Sequence, residues 1–371
     1  MRDERRQKKS PAINHPSIES PASGEFDFIA RIRQRAESAR VRDTAGLVHG
    51  IGDDAAVLSG RNGRDSVITA DLLIEDIDFR RTSPALDIGY KALAVSLSDI
   101  AAMGARPRWT LLSLGLPQDI WDSPFAESIY EGFLQAAHEF GVTLIGGDVS
   151  RTPERIVIDS IVIGETRRGR AILRSSARPG DHIFVTGTLG GAAAGLQLLE
   201  RAQGLRGRAA RMRLLSSLNA LTKRQTRPTP RVECGALLGE QRLASAMLDL
   251  SDGLSSDLAH LCRQSGVGAH LEAARIPVAP LLKRINAVND NQLTRKLKND
   301  ALDLALHGGE DFELLFTVRP RDLTRLPQRL GGVRLTRIGE VTEASAGIRI
   351  ERDKRMMILQ PSGFDHFKHP R

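Results

Sequence analysis

VITADLLIEDIDFRRTSPALDIGYKALAVSLSDIAAMGARPRWTLLSLGL, residues 67–116, decides the fold class of this chain. The segment DSVITADLLI (65–74) has the β-branched, alternating character of a strand. ALDIGYKALAVSLSDIAAMG (85–104) carries apolar residues at helical spacing, and PRWTLLSLGL (107–116) returns to a strand. Working outward, a second helical pattern at SPFAESIYEGFLQAAHEFG (123–141) is followed by strands VTLIGGDVS (142–150) and RIVIDSIVIGE (155–165). Strands alternating with helices mark an α/β or α+β domain, here over residues 25–165.

A linker rich in Arg, Gly and Ser, TRRGRAILRSSARPGD (166–181), separates this half from a second α/β half, so that residues 166–371 form the C-terminal domain. That half opens on the strand HIFVTG (182–187). It continues through helices AAAGLQLLERA (192–202) and SSDLAHLCRQSG (255–266) to strands AHLEAARIPV (269–278), FELLFTV (312–318) and VRLTRIGEV (333–341). A length of 371 residues suits two domains, and with only 4% aromatic residues the cores must rest on Leu, Ile, Val and Ala.

Composition excludes several classes. No stretch is apolar for the roughly 18 residues a bilayer span needs. Residues 1–24 are basic without an apolar run behind them, which reads as a disordered tail and not a secretory signal. Two distant cysteines, Cys234 and Cys262, have no partner at ligand spacing, so neither a disulfide framework nor a zinc site is indicated, and a cytoplasmic setting is expected. The net charge of +8 is concentrated in the tail and in residues 201–231, whose leucines recur at helical spacing. That stretch reads as an amphipathic helix with a solvated basic face, not a nucleic-acid surface, because no aromatics are interleaved for base stacking.

The chemistry lies in aspartates set in Gly-rich or apolar segments: Asp53 and Asp54 in GIGDDAAVL, Asp71, Asp99, Asp148 in LIGGDVSR, and Asp249 and Asp252 in LDLSDGLSSD. Any one alone reads as a turn or a cap. As a set they repel unless cations lie between them, and magnesium favours such oxygen ligands shared with phosphates. There is no G-x-x-x-x-G-K-[ST]. VTGTLGGAAAGL (185–196) reads as tight packing at a strand-to-helix turn, with a helix N-terminus open to an anion. In GGEDFELLF (308–316), Glu310 and Asp311 are either a charged turn or a loop carrying a carboxylate to a cationic or hydroxyl-bearing substrate. His182, His260 and His307 are scattered and read as structural.

Taken together, these segments with TADLLIEDIDF, LRSSARPGD, RPTPR (227–231), IGEV and GFDHF resemble the thiamine-monophosphate kinase family, in the family's order, over residues 25–367. The resemblance implies a two-domain aminoimidazole ribonucleotide synthetase-like fold with ATP between the domains. It also implies a homodimer paired through the N-terminal mixed sheets. The implied activity is direct in-line transfer of the ATP γ-phosphoryl group to thiamine phosphate, with several magnesium ions and potassium left open. By motif, Asp53, Thr69, Asp71, Asp99, Asp148, Asp249 and Asp252 are the implied metal ligands, with Asp71 and Asp148 central. Gly147, Asp148, Arg174 and Ser251 are implied at the nucleotide, and Asp78, Glu310 and Phe364 at the thiamine end. Two residues depart from the family pattern: Ala70 stands for a threonine and Asp78 for a histidine, which bears on substrate choice more than on reaction class. The competing readings are another ATP-dependent synthetase of the superfamily, an inactive nucleotide- or thiamine-phosphate-binding paralogue, and, from charge alone, a nucleic-acid binder.

Overall fold

The computed structural model describes residues 25–38, 46–204, 219–282 and 300–364, together with 207, 297 and 367. The expected tail at 1–24 and much of the arginine-rich segment lie outside them. Helix α1 (Glu25–Ser38) belongs to a small unit drawn from residues 1–39 and 365–371. It has acidic residues in its first turn and an Arg33–Glu37 pair on its exposed surface. All other elements described below belong to residues 40–364.

The first sheet has six strands in the order β1-β2-β3-β6-β4-β5. They are β1 (Leu47–His49), β2 (Ala56–Ser59), β3 (Arg64–Ile74), β4 (Arg106–Leu116), β5 (Thr143–Arg151) and β6 (Val157–Arg167). Only β4 and β5 run parallel. The chain makes that crossover through α3 (Gln118–Trp121) and α4 (Phe125–Phe140), as a parallel pair requires. Burial alternates along β3, β4 and β6, so one face is packed and the other open.

The packed face is covered by α2 (Ala85–Ala102) and α4. Nearly every residue of α2 is buried, because the helix has the first sheet on one side and elements of the second half on the other. Two glycines let α2 and α4 cross closely. A Cβ on Gly89 would lie 1.8 Å from the Ile129 carbonyl oxygen, and one on Gly132 would lie 1.8 Å from that of Leu86.

The second sheet runs β14-β13-β9-β12-β7-β10-β8, with β11 beside β12. Its strands are β7 (His182–Thr186), β8 (Ala246–Asp249), β9 (Val267–Glu272), β10 (Leu314–Val318), β11 (Arg329–Leu330), β12 (Val333–Glu343), β13 (Ile348–Arg352) and β14 (Arg355–Ile358). Around it lie α5 (Gly191–Gly204), α6 (Asn219–Thr226), α7 (Val232–Glu240), α8 (Leu254–Ser265) and α9 (Ala301–His307). The two sheets thus draw on residues 47–167 and 182–358, a mixed α/β architecture. No described helix is long and apolar enough to cross a membrane.

Within the described part of the arginine-rich segment, the arginines near its end turn inward rather than to solvent. Residues 201–204 close α5, 219–226 form the short helix α6 and 227–231 are irregular, while most of the stretch between lies outside the described residues. Arg224 and Arg231 bind the fully buried Glu313, while Arg227 pairs with Asp87 and stacks on the Tyr90 ring at 4.1 Å. Buried carboxylates and an aromatic ring draw these arginines inward, as P-x-P spacing alone could not indicate.

The close helix crossing makes a test. Gly132→Ala is expected to destabilise the protein by about 3 kcal/mol, at the upper end of overpacking costs, because the obstacle is backbone. A thermal midpoint equal to wild type would contradict the α2–α4 geometry.

Candidate active site

The site is assembled where α2 passes between the two halves. From the first sheet come Thr69 and Asp71 on β3, and from the turn before β2 come Asp53 and Asp54. Asp99 lies on α2, and Asp249 ends β8. Carboxylate oxygens of Asp54, Asp99 and Asp249 lie within 4.8 Å of one another. Thr69 Oγ1 donates to Asp99 Oδ2 at 2.5 Å and to the Asp54 carbonyl at 3.3 Å. Ser98 Oγ donates to Asp249 Oδ2 at 2.6 Å, joining the halves. Asp71 Oδ2 is buried without a hydrogen-bond partner.

Such crowding raises the carboxyl pKa values. Burial, then the charge of Asp54, pushes Asp249 up to about 8. Burial lifts Asp71 to about 6 against the pull of the Ser96 hydroxyl. Burial, with Asp71 and Asp249 nearby, holds Asp99 well above the usual carboxylate range. Burial and Asp54 raise Asp53 to about 7. An orphaned buried carboxylate oxygen beside three converging carboxylates is a donor set that fits a hard divalent cation.

The structure brings together most, but not all, of the expected residues. Asp54, not Asp53, completes the triad. Asp53 sits to the side, accepting from the Arg174 backbone N–H at 3.1 Å and facing His49 Nε2 at 3.5 Å. The Asp-Asp doublet was the sequence signal, and spacing could not say which of the two buried carboxylates joins the triad. Arg174 lies across both, with its Nε 3.2 Å from Asp54 Oδ2.

Asp148 is not brought to Asp71. The register places Asp148 in a row with Ser113, Asp159 and Leu72, on the open face of the sheet, whereas Asp71 is on the packed face. The two strands are three strand spacings apart, about 14 Å. Gly147 beside it is required by the β4–β5 pairing, since a Cβ would lie 1.8 Å from the Leu112 carbonyl oxygen.

At the far end of α2, three loops meet. Ser251 and Asp252 follow β8; the Ser251 carbonyl accepts from Glu310 N–H at 2.7 Å, and the Asp252 carbonyl from Phe364 N–H at 3.2 Å. Asp257 Oδ2 accepts from the Asp252 and Gly253 N–H groups. Phe364 is half exposed. Asp78 turns its carboxylate back onto the Ile74 N–H at 2.7 Å, so it caps its own turn.

The helix N-terminus at the glycine-rich turn is occupied by a protein carboxylate. Asp311 accepts from Gly190 N–H at 2.5 Å and Ala192 N–H at 3.1 Å. It supplies the anion that the first turn of α5 attracts. Asp311 is therefore a cap, whereas its neighbour Glu310 meets Lys91 and Gln225 instead. His307 Nδ1 meets Ser255 Oγ at 2.8 Å in a structural contact. Three participants went unread in the sequence: Lys91, Gln225 and Glu313. A lysine inside the apolar run GYKALAV was the one available signal.

Raised carboxyl pKa values imply a definite pH dependence. Between about pH 5 and 8 the folded protein keeps protons on Asp249, Asp53 and Asp71 that the unfolded chain has released, so stability without divalent cations is expected to fall as pH rises through that window. A divalent cation held by these carboxylates would replace those protons, so the rise in thermal midpoint on adding magnesium should be larger at pH 8 than at pH 6. Asp249→Asn should flatten the pH dependence and remove most of the magnesium effect. A magnesium effect that is independent of pH and of Asp249 would contradict this reading.

The comparisons with known proteins agree with this architecture. Residues 52–166 match the family model for the AIR synthase related protein N-terminal domain, and residues 178–351 match the C-terminal domain. The thiamine-monophosphate kinase of Salmonella typhimurium is 38% identical, covering 94% of this chain and all of the relative. That of Bacillus subtilis is 36% identical, covering 93% of this chain and 99% of the relative. A ThiL structure solved with AMPPCP and TMP superposes with a TM-score of 0.76 at 32% identity, covering 93% of this chain and 97% of that one. This chain belongs to the thiamine-monophosphate kinase family.

Proposed function

We propose that this protein transfers the γ-phosphoryl group of ATP to the phosphate of thiamine phosphate, producing thiamine diphosphate and ADP. The observation that carries the reading is the triad of Asp54, Asp99 and Asp249 oxygens within 4.8 Å, drawn from both halves of the chain. Family membership and a relative solved with an ATP analogue support it.

Asp54, Asp99 and Asp249, with Thr69 and Asp71 beside them, are the proposed holders of magnesium. Bound there, magnesium neutralises phosphate charge so that two anionic reactants can approach. Thr69 and Ser98 fix the Asp99 and Asp249 carboxylates before any ligand arrives. Arg174, held by Asp53 and Asp54, and Ser251 form the proposed nucleotide side, with Asp252 next to Ser251 a further proposed metal ligand. Glu310 and Phe364 form the proposed thiamine side, where a carboxylate and an aromatic face suit a cationic ring. Asp78, whose carboxylate accepts from the Ile74 N–H and whose carbonyl accepts from Lys91, flanks this side. No protein nucleophile is needed, since a phosphate oxygen of the acceptor forms the new P–O bond as the β–γ bridge breaks.

We also propose that the protein is a homodimer paired through the open face of the first sheet. Leu72, Trp109 and Ile145 expose 57%, 39% and 55% of their surfaces there, and among the described residues β5 offers an unpaired edge. Asp148 lies on that same face, so any part it and Gly147 have in metal or nucleotide binding is exercised at that surface. The cytoplasm is the proposed setting, in keeping with two free, buried cysteines.

Label transfer from γ-labelled ATP to thiamine phosphate tests the function. Wild type should form labelled thiamine diphosphate only with a divalent cation, and Asp99→Asn should lower kcat on the order of 100-fold or more. Folded wild type that binds ATP but transfers nothing would contradict the proposal. Leu72→Asp should shift the mass measured by light scattering from dimer to monomer, and an unchanged mass would contradict the pairing face.

A further inference from the structure

Glu310 is held by two side chains that neither the reaction nor the fold obviously requires. Lys91, in the middle of α2 and with only 4% of its side chain exposed, places Nζ 2.5 Å from Glu310 Oε1. The same ammonium donates to the Asp78 carbonyl at 2.9 Å. Gln225 Nε2, from α6, donates to Glu310 Oε2. Both oxygens of this one carboxylate are therefore oriented, one from each half of the chain.

The surroundings point to positioning. Glu310 has φ +64° and Phe312 φ +48°, a left-handed backbone that costs a non-glycine residue energy. Burying a lysine is expensive, and an apolar residue at position 91 would pack into the core of α2 at no such cost. The Gln225 side-chain oxygen is buried without a hydrogen-bond partner, so this residue too accepts a penalty while its nitrogen serves Glu310. Three unfavourable features converge on the geometry of a single carboxylate that is itself partly exposed beside the Ser251–Asp252 loop.

We propose that Lys91 and Gln225 are positioning residues that fix the Glu310 carboxylate for the cationic end of the acceptor substrate, and that Lys91 locks the Glu75–Phe79 turn to the Gly308–Asp311 loop through the Asp78 carbonyl. The inference rests on the phosphotransfer function proposed above and extends it to two residues outside the carboxylate triad. Lys91 leaves Glu310 one defined orientation, so the acceptor does not bear the entropy of ordering it.

The test is steady-state kinetics, with calorimetric binding of thiamine phosphate, on the full chain as wild type, Lys91→Met, Gln225→Met, Glu310→Gln and the Lys91→Met/Glu310→Gln double variant. Lys91→Met is expected to raise KM and Kd for thiamine phosphate at least 10-fold, with KM for ATP within twofold and kcat less affected. Gln225→Met removes an unsatisfied oxygen, so it should fold as well as wild type and still weaken thiamine phosphate binding several-fold. This keeps the test decisive if Lys91→Met misfolds. The double variant should be no weaker than Glu310→Gln alone, because both remove one function. Thiamine phosphate affinity within twofold of wild type in the folded single variants would overturn the inference. So would effects that multiply in the double variant, or equal losses toward ATP. Wild type that binds thiamine phosphate without phosphorylating it would instead overturn the function, while the binding series still judged Lys91 and Gln225.

Discussion

Carboxylates of Asp54, Asp99 and Asp249 share one small volume at the seam between two sheets, and each is buried enough that its charge is poorly solvated. Like charges in that setting must be protonated or neutralised by a cation. Much of the surrounding architecture is arranged to hold them there. Helix α2 is enclosed on both sides, which carries Asp99 into the seam; the Ser98–Asp249 hydrogen bond ties β8 to the helix; Arg174 reaches from the linker to cover Asp53 and Asp54. The linker is thus part of the site, pinned also by Ser265 Oγ donating to the Arg174 carbonyl.

Local geometry was legible wherever one periodicity dominated. Strands β3, β4 and β6 alternate between a packed and an open face, and α2 and α4 keep helical spacing, so their positions followed from the sequence within a few residues. Strand β8 was missed because all four residues of AMLD are buried and show no alternation. Strands β1 and β2 were missed because they are short, and β14 because its two methionines and isoleucine are all exposed.

The site was legible as a list and not as an arrangement. The motifs nominated Asp71, Asp99, Asp249 and Thr69, which do converge. Asp148 has an equally suggestive Gly-Gly-Asp context yet falls on the other face of the sheet, three strands away, because strand order is a long-range outcome. The Asp53–Asp54 doublet shows the same limit on a smaller scale, since both carboxylates are buried and one residue of register decides which of them joins the triad. Partners such as Ser98 and Asp249, 151 positions apart, or Lys91 and Glu310, farther still, have no local signature. Asp311 and Glu310 are neighbours with opposite fates: one caps α5, the other is held by Lys91 and Gln225 on a left-handed backbone.

The central claim is that the carboxylate triad is a divalent-cation site, and anomalous scattering from manganese tests it most directly. Crystals grown with manganese and a non-hydrolysable ATP analogue should show an anomalous peak at bonding distance from oxygens of Asp54, Asp99 and Asp249. Strong manganese peaks elsewhere, with none at the triad, would contradict the account.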